Sequence, residues 1–172
     1  MKSAKRYSTV GITKRVDYEA GRHRARRASP EPAVCETCGA LYVGRRWTLP
    51  GTAEESPKHK DWRHPRITTC PACKRIKDDL PSGFLHLKGR FLTEHRSEIE
   101  RLLRAEASRA AVDNPLARIM KLNQAGAELI VTTTTEHLAK RLGEALEKSC
   151  SGKIRYDFSH ENKLARVYWR RD

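Results

Sequence analysis

Two short cysteine pairs constrain this chain more than any other feature. Cys35-Glu36-Thr37-Cys38-Gly39 is answered by Cys70-Pro71-Ala72-Cys73. In a CxxC turn both thiolates point to one side, at the span a tetrahedral metal–sulfur site needs. Two such pairs supply four thiolates, a set that suits Zn2+. Gly39 relieves crowding where backbone amides turn toward the first sulfurs, because glycine tolerates positive φ. Two other readings of the same residues stand. One is a redox dithiol, which normally uses a single CxxC beside a βαβ pattern. The other is a mixed site in which His59 or His64 replaces a cysteine. Thirty-one residues separate the pairs, more than the usual ribbon spacing. The excess reads as a long hairpin or loop projecting from the site.

A chain of 172 residues has room for one medium domain or two small ones. Its formal net charge of +14 makes a polyanion the default partner, through phosphate neutralisation and counterion release. The excess is steepest at the N-terminus, where residues 1–34 hold nine Lys/Arg against three acids. No apolar run approaches the roughly 18 residues of a membrane span, and no signal-peptide core is visible. Four of the five cysteines being metal ligands leaves Cys150, a packing residue at a helix end. That odd count argues against a disulfide framework, and a cytoplasmic protein is expected.

The fold class expected is α+β, in three parts. Residues 1–34 form a basic tail, disordered alone, because so little apolar surface cannot offset the entropy of ordering. Its Lys5, Arg6, Lys14, Arg15, Arg22, Arg24, Arg26 and Arg27 are candidate RNA contacts, and a merely solubilising tail is the competing reading. Residues 35–80 form a four-cysteine zinc ribbon. Ala40-Leu41-Tyr42-Val43 reads as the strand leaving the first knuckle, and Gly44-Arg45-Arg46-Trp47 as the turn and strand after it. Arg45 and Arg46 suit phosphates, and Trp47 could stack a base, although a cover for the metal-centred core is the plainer reading. Lys74-Arg75-Ile76-Lys77 begins a short helix, with Lys74 and Arg75 as further candidate contacts.

Residues 81–172 read as a β-α-ββ-α-ββ domain with helices over one face of a mostly antiparallel sheet. The strand is Phe84-Leu85-His86-Leu87, and the first helix spans 94–110 with Ile99, Leu102, Leu103 and Ala110 inward. A hairpin turns about Ala125-Gly126, although 116–120 could instead be one helical turn. Thr133 and Glu136 fit a capping box opening a helix over 137–148, whose stripe is Leu138, Leu142, Ala145 and Leu146; Gly152 follows as C-cap. Ile154, Tyr156 and Phe158, then Ala165, Val167 and Trp169, alternate with polar residues about a His160-Glu161-Asn162 turn. Arg155, Arg166, Arg170 and Arg171 are expected on or near the uncovered face, which a structured RNA could use; a solvated face competes.

At residues 35–39, Tyr42, Gly44-Arg45-Arg46-Trp47 and Cys70-Pro71-Ala72-Cys73 the sequence resembles a small bacterial zinc-ribbon family. That family is similar to the archaeal and eukaryotic adaptor that binds the large ribosomal subunit and escorts it from the nucleus. Ile130-Val131-Thr132-Thr133, residues 136–143 and Ser151-Gly152-Lys153 also resemble the adaptor, in which a hairpin, a helix and another hairpin follow the zinc region. The resemblance covers roughly 33–80 and 116–171. It implies a ribosome-associated, RNA-contacting protein without catalysis. The adaptor has more knuckle pairs and further domains, so nuclear export is not implied here.

Four thiolates on one ion leave no position for a reactive water. A zinc deaminase would need an HxE motif before a CxxC, which His59-Lys60-Asp61 and His64-Pro65-Arg66 do not supply. His86, His95, His137 and His160 have no partner at a recognisable spacing, and no Gly-rich phosphate loop occurs. The expectation is a non-catalytic protein that binds the ribosome, at the large subunit or the subunit interface, through rRNA. It would act in subunit assembly or in stabilising idle ribosomes, with no membrane and no small-molecule substrate. A DNA-binding transcriptional regulator is the alternative, and a ribbon that docks only another protein is the third reading.

Overall fold

The computed structural model describes residues 31–50, 64–159 and 163–172. The candidate contacts from Lys5 to Arg27, the histidine His59 and the turn at His160-Glu161-Asn162 lie outside the described residues.

The N-terminal described part is a small four-stranded sheet. Its strands are β1 (Ala33–Cys35), β2 (Leu41–Val43), β3 (Arg46–Thr48) and β4 (Arg66–Thr68), in the order β3-β2-β1-β4. The β2–β3 turn places Gly44 and Arg45 at φ 55° and 61°. Two positive φ values in succession match the right-handed twist of a tight hairpin. β4 lies in the interval between the cysteine pairs, where the sequence suggests only a long hairpin or loop. It pairs parallel with β1, while β1–β2 and β2–β3 are antiparallel. Helix α1 (Pro71–Lys77) begins inside the second knuckle, three residues earlier than the sequence suggested. Cys70 is its N-cap and Pro71 supplies a preset φ where no amide donor is needed.

The C-terminal part follows as β5 (Gly83–Lys88), α2 (Arg90–Glu94), α3 (Arg96–Asp113), β6 (Ile119–Ala125), β7 (Glu128–Thr133), α4 (Glu136–Cys150), β8 (Lys153–Ser159) and β9 (Leu164–Arg170). The expected first helix is thus two, divided at His95, whose φ of −117° is not helical. Residues 116–118 lead into β6 rather than forming a helical turn that replaces it. The sheet order is β6-β7-β5-β9-β8, with β5–β9 parallel and the other three pairings antiparallel.

Leu85 and Leu87 of β5, Leu129 and Val131 of β7, and Val167 and Trp169 of β9 all face the helices. They meet Leu138, Leu142 and Leu146 of α4 and Ile99 and Leu103 of α3 in one buried cluster. Gly143 lets α4 come close, since a Cβ there would stand 2.7 Å from Val167 Cγ1. The α4 cap is Thr135, whose hydroxyl accepts from Leu138 N, not the predicted Thr133. Thr133 is the last residue of β7 and its hydroxyl donates to Thr135 O at 2.8 Å. At the other end Ser151 is the C-cap, at φ 55°, one residue before Gly152.

Candidate metal centre and its surroundings

The parallel pairing of β1 and β4 builds the cysteine site. Cys35 ends β1 opposite Thr68, and the Glu36 amide extends that ladder by donating to Thr68 O at 3.0 Å. Both strands therefore deliver their knuckles to the same end of the sheet. Parallel neighbours need a long crossover. That is the physical reason for the wide interval between the cysteine pairs, part of which is the β2–β3 hairpin.

Within the first knuckle, Gly39 takes φ +71° and its amide donates to Cys35 O at 2.9 Å. The Cys70 amide donates to Cys35 Sγ at 3.3 Å and the Cys73 amide to Cys70 Sγ at 3.4 Å. The four Sγ atoms of Cys35, Cys38, Cys70 and Cys73 lie within 4.8 Å of one another, and Cys38 and Cys70 are 3.8 Å apart. A tetrahedral thiolate site with metal–sulfur bonds of about 2.3 Å sets its sulfurs about 3.8 Å apart. The cluster fits a metal ion. All four cysteines belong to it, so no histidine need replace one; His64 is exposed and outside the group.

The electrostatics agree. Burial alone would raise the Cys35 thiol, but amide donors from Cys70, Cys38 and Thr37 overcome it and bring its pKa down to about 6. Burial pushes Cys70 and Cys73 up, and the charges of neighbouring sulfurs add to it. The Cys35 thiolate is therefore favoured, and charging Cys70 and Cys73 beside it calls for a cation among them.

A residue outside the cysteine pattern completes the surroundings. The Arg118 guanidinium reaches Cys73 Sγ at 3.7 Å through Nη1, while its Nε donates to Pro115 O at 2.8 Å. Its amide donates to Thr134 Oγ1 at 2.8 Å, and its carbonyl accepts from Thr134 N at 3.0 Å. Burial alone would lower the Arg118 pKa, and the cysteines, Cys38 foremost, raise it instead. Leu116 packs on the same cysteine cluster, and Lys121 pairs with Asp79 at 2.6 Å. The segment entering β6 thus fastens the cysteine module to the larger sheet. Sequence reasoning missed Arg118 because nothing local marks an arginine 45 residues beyond a ligand.

No protein-family model, curated protein or solved structure matches this chain.

The remaining candidate residues are scattered. Arg45 and Arg46 are exposed at the β2–β3 turn, where the Arg45 amide donates to Glu31 Oε1 at 2.6 Å. Trp47 is half-buried, 5.2 Å from the Tyr42 ring and packed on the cysteine cluster, which makes it a cover for that core. Lys74 is exposed on α1. Arg75 turns back to its own module, donating to Leu80 O at 3.2 Å, and burial lowers its pKa. Arg166 and Arg170 lie on the sheet face away from the helices, Arg166 opposite Asp157 and Arg170 bonded to Asp172 at 2.8 Å. Arg171 departs from expectation. Strand alternation puts it on the side of Trp169, where its guanidinium lies 3.8 Å over the Phe91 ring and donates to Cys150 O.

Proposed function

We propose that this is a non-catalytic RNA-binding protein that associates with the ribosome through rRNA, in subunit assembly or in stabilising idle ribosomes. Zinc is the metal of its cysteine cluster. The observation that carries this reading is the face of the five-stranded sheet opposite the helices. Lys88, Lys153, Arg155 and Arg170 are exposed there and Arg166 is half-buried. The acids that reach that face include Glu128, Asp157 and Asp172, the last bonded to Arg170. Glu128 already engages His86 at 2.7 Å and Lys88 at 3.1 Å, and those partners hold its carboxyl below its usual range although burial would raise it. What is left is a cationic strip along one face of the sheet, suited to backbone phosphates.

The basic tail adds a second, sequence-independent attraction in this reading, and Arg45, Arg46 and Lys74 a third. Four thiolates would saturate the zinc, so the ion serves as scaffold and not as a Lewis acid. No helix among the described residues is long and apolar enough to cross a membrane. Within the proposal the protein works in the cytoplasm and takes no small-molecule substrate.

Sedimentation of the tagged protein through a sucrose gradient tests the reading. The expected result is co-migration with ribosomal particles at low salt and steep release as salt rises. Recovery only at the top of the low-salt gradient would overturn it. Crosslinking should return rRNA; promoter DNA in its place would point to a transcriptional regulator. Metal analysis should give about one zinc per chain.

A further inference from the structure

The open face of the larger sheet carries more than charge. Phe84 and His86 stand two residues apart on β5, with ring centroids 6.4 Å apart and planes 22° from parallel. His86 is paired across the sheet with Tyr168 of β9, at 4.9 Å and 17°. Tyr168 is paired in turn with Arg155 of β8, whose guanidinium carbon sits 4.6 Å over the phenol ring. His86, Tyr168 and Arg155 therefore form one row of planar groups across three neighbouring strands, and Phe84 extends it along β5. β8 is the edge strand, so the row ends at an exposed guanidinium plane.

A solvated sheet face is ordinarily polar, and cross-strand ring pairs can serve the sheet alone. Two features of this row suggest more. It lies among Lys88, Lys153 and Arg170, which are exposed on the same face. It also terminates in a cation that lies over the Tyr168 ring and is exposed to solvent. Guanidinium planes and aromatic rings are the surfaces on which unpaired bases stack, and flanking cations hold the phosphates between those bases. Double-stranded RNA offers no base faces to such a row.

The geometry points to single-stranded RNA as the ligand of this face, with an unpaired base stacked on the Arg155 end of the Arg155–Tyr168–His86 row and the chain's phosphates on Lys153 and Arg170. The inference rests on the RNA-binding reading and narrows it to unpaired segments. His86 is held by Glu128 and supports Tyr168 from behind. Tyr168 in turn keeps the Arg155 plane upright. Arg155 touches the base, and Tyr168 positions it.

The test uses the full, metal-loaded chain in anisotropy titrations with three probes. These are an unpaired RNA of about eight nucleotides, a duplex of the same length, and an abasic ribose-phosphate oligomer of the same charge. Wild type should bind the unpaired RNA about tenfold or more tighter than the abasic oligomer, and tighter than the duplex. Arg155→Ala and Tyr168→Ala should each remove that margin, Arg155→Ala lowering abasic binding no further than Lys153→Gln does and Tyr168→Ala leaving it unchanged, and Tyr168→Phe should keep the margin. Lys153→Gln should weaken unpaired and abasic probes alike and flatten the salt dependence. Arg155→Ala is at an exposed edge position, so it decides the matter if Tyr168→Ala fails to fold. Equal binding of abasic and unpaired oligomers, a preference for duplex or for polyglutamate, or an Arg155→Ala variant with undiminished affinity would overturn the inference. Should that happen while the protein still sediments with ribosomes, the stacking site alone falls. If wild type binds none of the RNA probes and stays at the top of the gradient, both fall together.

Discussion

The two sheets of this protein hold together by different means. Every strand of the smaller sheet is three residues long, and the buried side chains of its module are Pro32, Ala33, Ala40, Tyr42, Ala72 and three of the cysteines, Cys35, Cys70 and Cys73. The strands of the larger sheet run six or seven residues and bury leucines, valines and Trp169 against two helices. Burial of apolar area at roughly 25 cal/mol per Å2 can support the second structure but not the first. A metal ion held by the cysteine cluster would join the module's two ends and supply what its side chains do not, and the larger domain has no such need. The comparison teaches where the molecule will break when the metal is taken away.

The largest effect expected is that of Cys70→Ser. Metal binding in such small modules carries an apparent ~10–16 kcal/mol, far more than their own side chains contribute. The variant should lose its metal, and the amides of β1 to β4 should exchange with solvent. Those of β5, β7 and β9 should stay protected. Hydrogen exchange with metal analysis reads both. Retention of a full metal complement, or collapse of the larger sheet as well, would erase the proposed division. The converse is Leu142→Ala, at a side chain fully buried between α4 and the sheet. It should cost ~2–5 kcal/mol of stability, seen as a lower denaturation midpoint, with metal content unchanged.

How much of this was legible in the sequence follows the same division. The four ligands announce themselves, because spacing within a CxxC is a local property. Their meeting depends on β4, which carries no signal: three residues, Arg66 to Thr68, with Ile67 63% exposed. A parallel pairing across thirty residues cannot be read from either strand. In the larger domain, alternation through Ile154–Phe158 and Ala165–Trp169 gives two strands and their inward faces directly. The same alternation, carried one residue too few, left Arg171 assigned to the wrong side. The α4 start was misplaced because Thr132 to Thr135 offer four candidate caps. Only the end of the β7 ladder, at Thr133, decides among them.

Arg118 is where the comparison can be sharpened, since it belongs to one part and touches the other. Arg118→Met keeps much of the length and removes the charge. It would leave Pro115 O without its donor and the sulfur cluster without a neighbouring cation. Charged hydrogen bonds of this kind contribute roughly 1.5–3 kcal/mol, so a loss of about 2 kcal/mol is expected, with faster release of metal to a chelator. The exposed Lys121–Asp79 pair should matter much less. An Arg118→Met protein with wild-type metal release would mean that the two parts merely adjoin.

The smallest effect expected lies wholly within the larger domain. Thr135→Ala removes the hydroxyl that accepts from Leu138 N, and loss of such a cap costs ~1 kcal/mol. Thr135→Ser should restore most of it, because the accepting oxygen returns. Metal content and metal release should not change in either variant, since the α4 cap has no part in the cysteine cluster. Were Thr135→Ala to speed metal release as Arg118→Met does, the path between the parts would run through Thr134 and the α4 entrance as well as the guanidinium. The division between a metal-built and a core-built sheet would then be less sharp than their side chains suggest.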